Sequence, residues 1–77
     1  MIRVSVPHSR LTDVVWYDEA ASKMYIHFLH TDTVWVYYGI SQHVFSNMLN
    51  APSIGNYFNH HVRNNYTTER VEFEYEP

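Results

Sequence analysis

The residues whose side chains are best suited to bind a ligand lie between positions 51 and 66. Ser53 and Gly55 stand where a helix would begin, and a hydroxyl cap beside a glycine allows an anion to approach backbone N–H groups. A Ser-x-Gly pair is weaker evidence than a complete phosphate-binding loop with its lysine. The pair therefore predicts helix capping and close packing of the helix on the sheet first, with an anion site as the alternative.

A polar cluster follows on one side of the expected helix. Its members are Asn56, Asn59, His60, Arg63 and Asn64. Amide groups can hydrogen-bond base edges, and an arginine can contact a phosphate or stack on a base. Asparagine is a poor helix former, so the clustering carries a local cost. A solvated helix face accounts for most of this set, and a ligand-binding face is the leading hypothesis for a site.

Aromatic side chains on the expected strands form a second candidate surface. Tyr25 and His27 alternate with apolar neighbours and should point outward, beside a ring of the next strand such as Trp35 or Tyr37. Exposed rings on strands stack RNA bases in several binding modules. We include Tyr25 and Tyr37 among the ligand-binding residues. The alternative is burial of Trp35 and Tyr37 in the core, because the pattern of their strand does not fix its buried face.

Metal and catalytic motifs do not stand out. His60 and His61 are adjacent and would diverge by about 100° on a helix. His27 and His30 straddle a turn, and the sequence has neither a His-Glu-x-x-His pattern nor a cysteine. Serine, histidine and aspartate occur without a spacing that would bring them together, and so short a chain leaves little room for an enclosed cleft. We expect no metal, no cofactor and no enzymatic activity.

Length and composition indicate one small domain over residues 1–77. Without cysteine, its core depends on packing, and seven Tyr, four Phe and two Trp supply the rings. The net charge of −3 weighs against nucleic-acid binding, although six histidines would add positive charge at mildly acidic pH. No stretch is long and apolar enough for a membrane span, and residues 1–7 lack a signal-peptide core. We therefore expect a cytoplasmic protein with no membrane partner.

Alternating and β-branched residues predict an antiparallel meander. Three strands are expected over about residues 11–17, 23–29 and 33–38. Residues 69–76 alternate strictly between apolar and charged side chains, which predicts a further strand. That strand would either close the sheet as an edge strand, with glutamates that oppose edge pairing, or pair with a partner.

Two short helices are expected after the meander. Ser41 can cap a helix over about residues 42–50, with Ile40 and Phe45 placed as a hydrophobic staple, and Pro52 ends it. After the cap Ser53, the second helix has an apolar stripe of Ile54, Tyr57, Phe58, His61 and Val62. The expected fold class is α+β: an antiparallel three- to four-stranded meander packed against two short C-terminal helices.

Several runs together resemble one known family. The matches are Tyr17-Asp18 to a strand-ending Tyr-Asp, Met24-x-Ile26-x-Phe28 to a second-strand triplet, Trp35-Val36-Tyr37 to a central Tyr-x-Tyr, and Gly39-Ile40-Ser41 to a Gly-Val-Pro-like turn. The strongest is Ala51-Pro52-Ser53-Ile54-Gly55-Asn56-Tyr57-Phe58-Asn59, continued by Val62-Arg63 and Tyr66. On these residues the chain resembles the KTSC domain over residues 17–66, with departures at Trp35 for Tyr and Ser41 for Pro.

The KTSC domain is named for its place at the C-terminus of some lysyl-tRNA synthetases and also occurs as a stand-alone bacterial or phage protein. Its function is not established. From the synthetase context, the resemblance implies a role in RNA binding, and no catalytic residues come with it.

Two functions follow as hypotheses. The first is a non-enzymatic binding module for RNA or a nucleotide-like ligand, which would use Ser53, Gly55, Asn56, Asn59, His60, Arg63, Tyr25 and Tyr37. The second is a protein-interaction module or small phage-type inhibitor whose acidic strand, residues 69–76, docks on a host protein. The negative charge favours the second hypothesis, and the family resemblance favours the first.

Overall fold

Five strands form one antiparallel sheet in the computed structural model, which describes residues 1–72. The strands are Ile2–Ser5 (β1), Thr12–Asp18 (β2), Lys23–Phe28 (β3), Thr33–Tyr38 (β4) and Thr68–Val71 (β5). Their order in the sheet is β1-β2-β3-β4-β5, so each strand pairs with its neighbours in sequence. The α+β class and the meander are confirmed, and the sheet has five strands where three to four were predicted.

The additional strand is β1. It pairs with β2 from Ile2 opposite Tyr17 to Ser5 opposite Val14. Strand β1 is only four residues long and lies at an edge of the sheet, so its alternation of apolar residues is too short to distinguish it from an irregular arm.

The first helix, α1, has the bounds predicted for it, Gln42–Asn50. The Ser41 side chain accepts a hydrogen bond from the Val44 N–H at 3.2 Å, and this satisfies one of the unpaired donors of the first turn. Ile40 and Phe45 are both buried in the same core, as the predicted staple requires.

The second helix begins as α2, Ile54–Tyr57, and continues as a π-helical segment over Phe58–Val62. In this π segment the Arg63 N–H donates to the Phe58 carbonyl at 2.8 Å, which is the wider i to i+5 spacing. Among the described residues 1–72, no helix is long and apolar enough to span a membrane.

The predicted C-terminal position of the helices is wrong, because β5 follows them. After the π segment, Asn64 adopts a left-handed conformation (φ 68°), which asparagine tolerates better than most residues. The chain then returns to the sheet and pairs with β4 from Thr68 opposite Tyr37 to Val71 opposite Val34. The predicted edge strand is therefore present as far as Val71. Residues 73–77 lie outside the described part of the chain.

The helices cover one face of the sheet, which we call the inner face. Its buried core contains Val15, Tyr17, Met24, Ile26 and Tyr37 from the strands and Phe45, Met48, Phe58 and Val62 from the helices. Because Trp35 pairs with Ile26 and Tyr37 pairs with Met24, both β4 rings point inward. On the opposite, outer face a smaller cluster buries Val14, Trp16 and Val34.

Tyr17 joins the sheet to the start of α1. Its hydroxyl donates to the Ile40 carbonyl at 2.8 Å in a buried hydrogen bond. Its ring stacks on Phe45 with the centroids 4.5 Å apart. A single side chain therefore fixes both the residue before the cap and the buried side of the first helical turn.

We expect Tyr17→Phe to lower the free energy of unfolding by about 1–2 kcal/mol, because it removes the hydroxyl donor from a buried carbonyl and keeps the ring stack. Urea denaturation followed by circular dichroism measures the change. Tyr57→Phe is the matched control, since the Tyr57 hydroxyl makes no hydrogen bond within residues 1–72. An equal loss in both variants would contradict this role of Tyr17.

Candidate binding groove

A groove of about 770 Å³ opens between the β1–β2 loop and the junction of the two helices. Its walls are Val4, Ser5, Val6, Pro7, His8, Ser9, Arg10 and Leu11 on the strand and loop side, and Leu49, Ala51, Pro52, Ser53, Ile54, Gly55, Asn56 and Asn59 on the helix side. Four of the eight predicted ligand-binding residues, Ser53, Gly55, Asn56 and Asn59, thus come together in one concave surface.

The loop that faces these residues is held by backbone hydrogen bonds at both ends. At its start the Val6 N–H donates to the Asp13 carbonyl at 2.8 Å, and at its end the Leu11 carbonyl accepts from the Leu29 N–H at 3.0 Å. Within the loop, the Ser9 hydroxyl accepts from the Leu11 N–H at 3.1 Å. The loop is therefore a fixed wall of the groove.

His8 and Arg10 are the functional candidates that the sequence did not reveal. Both line the groove and are exposed. Nothing in the run around them forms a motif, and they lie far in sequence from the helix junction. A prediction of the N-terminal strand β1, antiparallel to β2, would have placed both residues in the loop that faces the helix junction.

On the helix side, the Ser53 hydroxyl accepts a hydrogen bond from the Asn56 N–H at 3.2 Å, so its capping role is confirmed. The packing of the helix does not require a glycine at position 55. A Cβ at this position would lie 3.9 Å from the Leu11 Cβ and 4.0 Å from the Ser53 Oγ, which is ordinary contact. Gly55 lines the groove and presents no side chain to it.

The groove differs in charge from the rest of the chain. The protein has eight acidic and five basic residues, yet within the described residues 1–72 the groove lining includes Arg10 and His8 and no aspartate or glutamate. A ligand with negative charge would meet a guanidinium here without an opposing carboxylate from the groove walls.

His60 and Arg63, also predicted to bind, are exposed but do not line the groove. His60 Nδ1 lies 2.7 Å from the Asn56 carbonyl oxygen, which is a contact between neighbouring helical turns. The Arg63 guanidinium donates to the Asn59 Oδ1 at 3.5 Å. Arg63 therefore contacts a residue of the groove wall, Asn59, without lining the groove itself.

Tyr25 and Tyr37 lie on opposite faces of the sheet, so the expected platform of these two rings is wrong. Tyr37 is 7% exposed and packs edge-on against Phe58 under the second helix, with the ring centroids 5.4 Å apart. Burial raises the pKa of Tyr37, and the nearby Arg63 charge only partly opposes this. Tyr25 points to the outer face, opposite Val36.

The β4 ring on the outer face is Tyr38. Its hydroxyl donates to the Glu69 carboxylate at 3.0 Å, and the Lys23 ammonium lies 5.4 Å from the centre of its ring. The hydrogen bond to Glu69 raises the pKa of Tyr38.

Within residues 1–72, no three His, Asp or Glu side chains converge to hold a metal ion.

A sheet meander that carries two helices between its fourth and fifth strands, with a groove beside the helix junction, defines a small α+β module. The family model of the KTSC domain matches residues 8–66, a range that includes the loop residues His8 to Leu11 and both helices. The chain therefore belongs to the KTSC domain family, as the resemblance over residues 17–66 predicted.

A solved relative has the same fold. The crystal structure of a KTSC domain protein from Yersinia pestis matches with a TM-score of 0.85 and 20% sequence identity, covering 92% of this chain and 97% of that chain. At this identity the likeness shows the shared fold alone. No curated protein matches the chain in sequence.

Gly55→Ala tests whether this glycine is needed by the fold. We expect the free energy of unfolding to rise by about 0.4–1 kcal/mol, because alanine fits against Leu11 and restricts the unfolded chain. Thermal and urea denaturation measure the effect. A fall in stability of 1 kcal/mol or so would show that the helix does require glycine for close packing.

Proposed function

We propose that the protein is a non-enzymatic binding module that takes RNA or a nucleotide-like ligand in the groove between the β1–β2 loop and the helix junction. One observation carries the proposal: among residues 1–72, the groove walls hold Arg10 and His8 but no acidic side chain, in a chain with a net charge of −3. Phosphate contacts supply most of the affinity of nucleic-acid binders, and this groove offers such a contact.

The groove also has the polar groups and the size for a nucleotide. A guanidinium such as that of Arg10 can form two parallel hydrogen bonds with one phosphate. The Asn56 and Asn59 amides each supply donors and an acceptor, the groups that read base edges. A volume of about 770 Å³ lies within the range of about 300–1,000 Å³ that is usual for small-ligand sites.

Arg63 extends this surface beyond the groove. Its hydrogen bond to Asn59 places a second guanidinium beside the helix wall, where it can contact the next phosphate of a strand. The negative charge elsewhere on the protein repels nucleic acid at longer range, so we expect modest affinity that falls steeply with salt.

Arg10→Ala tests the groove directly. We expect it to weaken binding of a fluorescently labelled single-stranded RNA by about tenfold at low salt, because it removes one charge-assisted contact. Arg70→Ala is the matched control, since β5 lies at the opposite edge of the sheet from β1. It should change the affinity less than about twofold. Fluorescence anisotropy measures both.

A second pair of variants separates local charge from net charge. Ser53→Asp and Ser41→Asp each keep an N-cap acceptor and add one negative charge, but only Ser53 lines the groove. We expect Ser53→Asp to weaken RNA binding and Ser41→Asp to leave it close to that of the wild type. Equal effects of the two, or no binding of RNA, single-stranded DNA or nucleotides at low salt, would contradict the proposal.

The second candidate is a protein-interaction module that uses the acidic end of the sheet. The sheet order ends at β5, and the Glu72 side chain that follows is 94% exposed. An edge strand can accept a strand from a partner, and glutamates there favour a basic one. Removal of all residues after Thr68 would not test this cleanly, because it deletes most of a strand that pairs with β4.

Glu72→Lys tests this second candidate while it leaves the pairing of β5 intact. A partner that docks at this edge should be captured from nuclease-treated bacterial lysate by the wild type and by Arg10→Ala, and lost with Glu72→Lys. Capture that disappears after nuclease treatment, or that Arg10→Ala abolishes, would favour the groove. A melting curve of each variant controls for folding.

A further inference from the structure

His27 lies on the outer face of the sheet between two carboxylates. Its Nδ1 is 2.7 Å from the Asp13 Oδ1, and its Nε2 is 2.7 Å from the Asp32 Oδ1. The residue is 5% exposed. An ionised carboxylate can only accept hydrogen bonds, so two such short contacts require an N–H on both ring nitrogens, which is the imidazolium form.

Two local irregularities bring these side chains together. A β-bulge between Thr12 and Val15 interrupts the alternation of β2, which lets Asp13 reach the outer face. In the turn between β3 and β4, Asp32 adopts a left-handed conformation (φ 52°) that few residues other than glycine, asparagine and aspartate tolerate. His27 therefore connects the bulge to the turn.

The charge around His27 is net negative. Burial disfavours the charged ring, but the hydrogen bonds and charges of Asp13 and Asp32 outweigh it, so the pKa of His27 is raised above its ordinary value of 6.5. Arg70 and Glu72 line a small cavity beside the ring from the β5 side. Their charged groups lie 3.8 Å apart and largely offset each other.

We propose that His27 is a proton-dependent clamp that holds the β3–β4 turn to the β2 bulge and releases the turn when the ring loses its proton. A neutral imidazole has one N–H, so one of its nitrogens would then direct a lone pair at a carboxylate. The Asp32 side chain is 90% exposed and that of Asp13 is 38% exposed. Asp32 therefore leaves, and the remaining N–H stays on Nδ1 with Asp13.

The direction of the pH dependence follows from the raised pKa of His27. The stabilisation by the clamp is fully present below about pH 6.5, the ordinary histidine value, and is lost as the pH rises through the higher pKa of the folded state. The released turn also includes Leu29, whose N–H donates to the Leu11 carbonyl at 3.0 Å. Loss of the clamp thus weakens the attachment of the β1–β2 loop.

Two NMR measurements test the clamp from about pH 5.5 to about pH 9. Imidazole nitrogen spectra should show His27 doubly protonated at the low end and as the Nδ1–H tautomer at the high end. Amide hydrogen exchange, corrected for intrinsic pH dependence, should show a roughly tenfold loss of protection at Leu29 across the same transition, while Ile26 in β3 stays protected. A neutral His27 at about pH 6, or unchanged protection at Leu29, would overturn the proposal.

Asp32→Asn and Asp18→Asn form a matched pair. Asparagine tolerates the left-handed conformation and keeps an acceptor for Nε2, so Asp32→Asn removes only the charge. We expect the His27 transition to move about one unit to lower pH in this variant. Asp18, whose carboxylate accepts from the Ala21 N–H in another turn, should leave the transition unmoved. An unmoved transition in Asp32→Asn would also overturn the proposal.

Discussion

The structure depends first on the docking of the second helix against the inner face of the sheet. Phe58 and Val62 are 3% and 0% exposed, and the Phe58 ring packs edge-on against Phe28 and Tyr37. Burial of such side chains contributes about 1.5–3 kcal/mol each, a large part of what a domain of this size can gain. The contact holds residues 53–59 opposite the β1–β2 loop, and these two sides form the groove.

The β2 bulge lies between the His27 cluster on the outer face and the loop that forms one wall of the groove. Through its side chain, Asp13 contacts His27 on the outer face. Through its carbonyl, the same residue accepts from the Val6 N–H at the start of the groove loop. One irregularity in one strand therefore positions both a charged clamp and a wall of the groove.

Local signals predicted most of the fold. Ser41, Pro52 and Ser53 mark helix boundaries by capping and by the loss of an N–H, and these physical effects act over a few residues. Only the helix side of the groove was predicted, because Ser53 and Asn59 belong to one helix and its cap. The position of Arg10 opposite them depends on β1, a short edge strand whose sequence has no distinct pattern. Tyr37 was misassigned because a run such as β4 does not fix its own buried face. Pairing with Met24 does so, and that depends on register.

We have proposed that RNA or a nucleotide-like ligand binds in the groove. The most direct test is a titration of the isotopically labelled protein with a short single-stranded RNA at low salt, followed by amide chemical shifts. We expect saturable shifts confined to the β1–β2 loop, residues 6–11, and to residues 53–59 of the helix junction. Shifts centred on β5 or on the outer face, or no shifts at any RNA concentration, would contradict it.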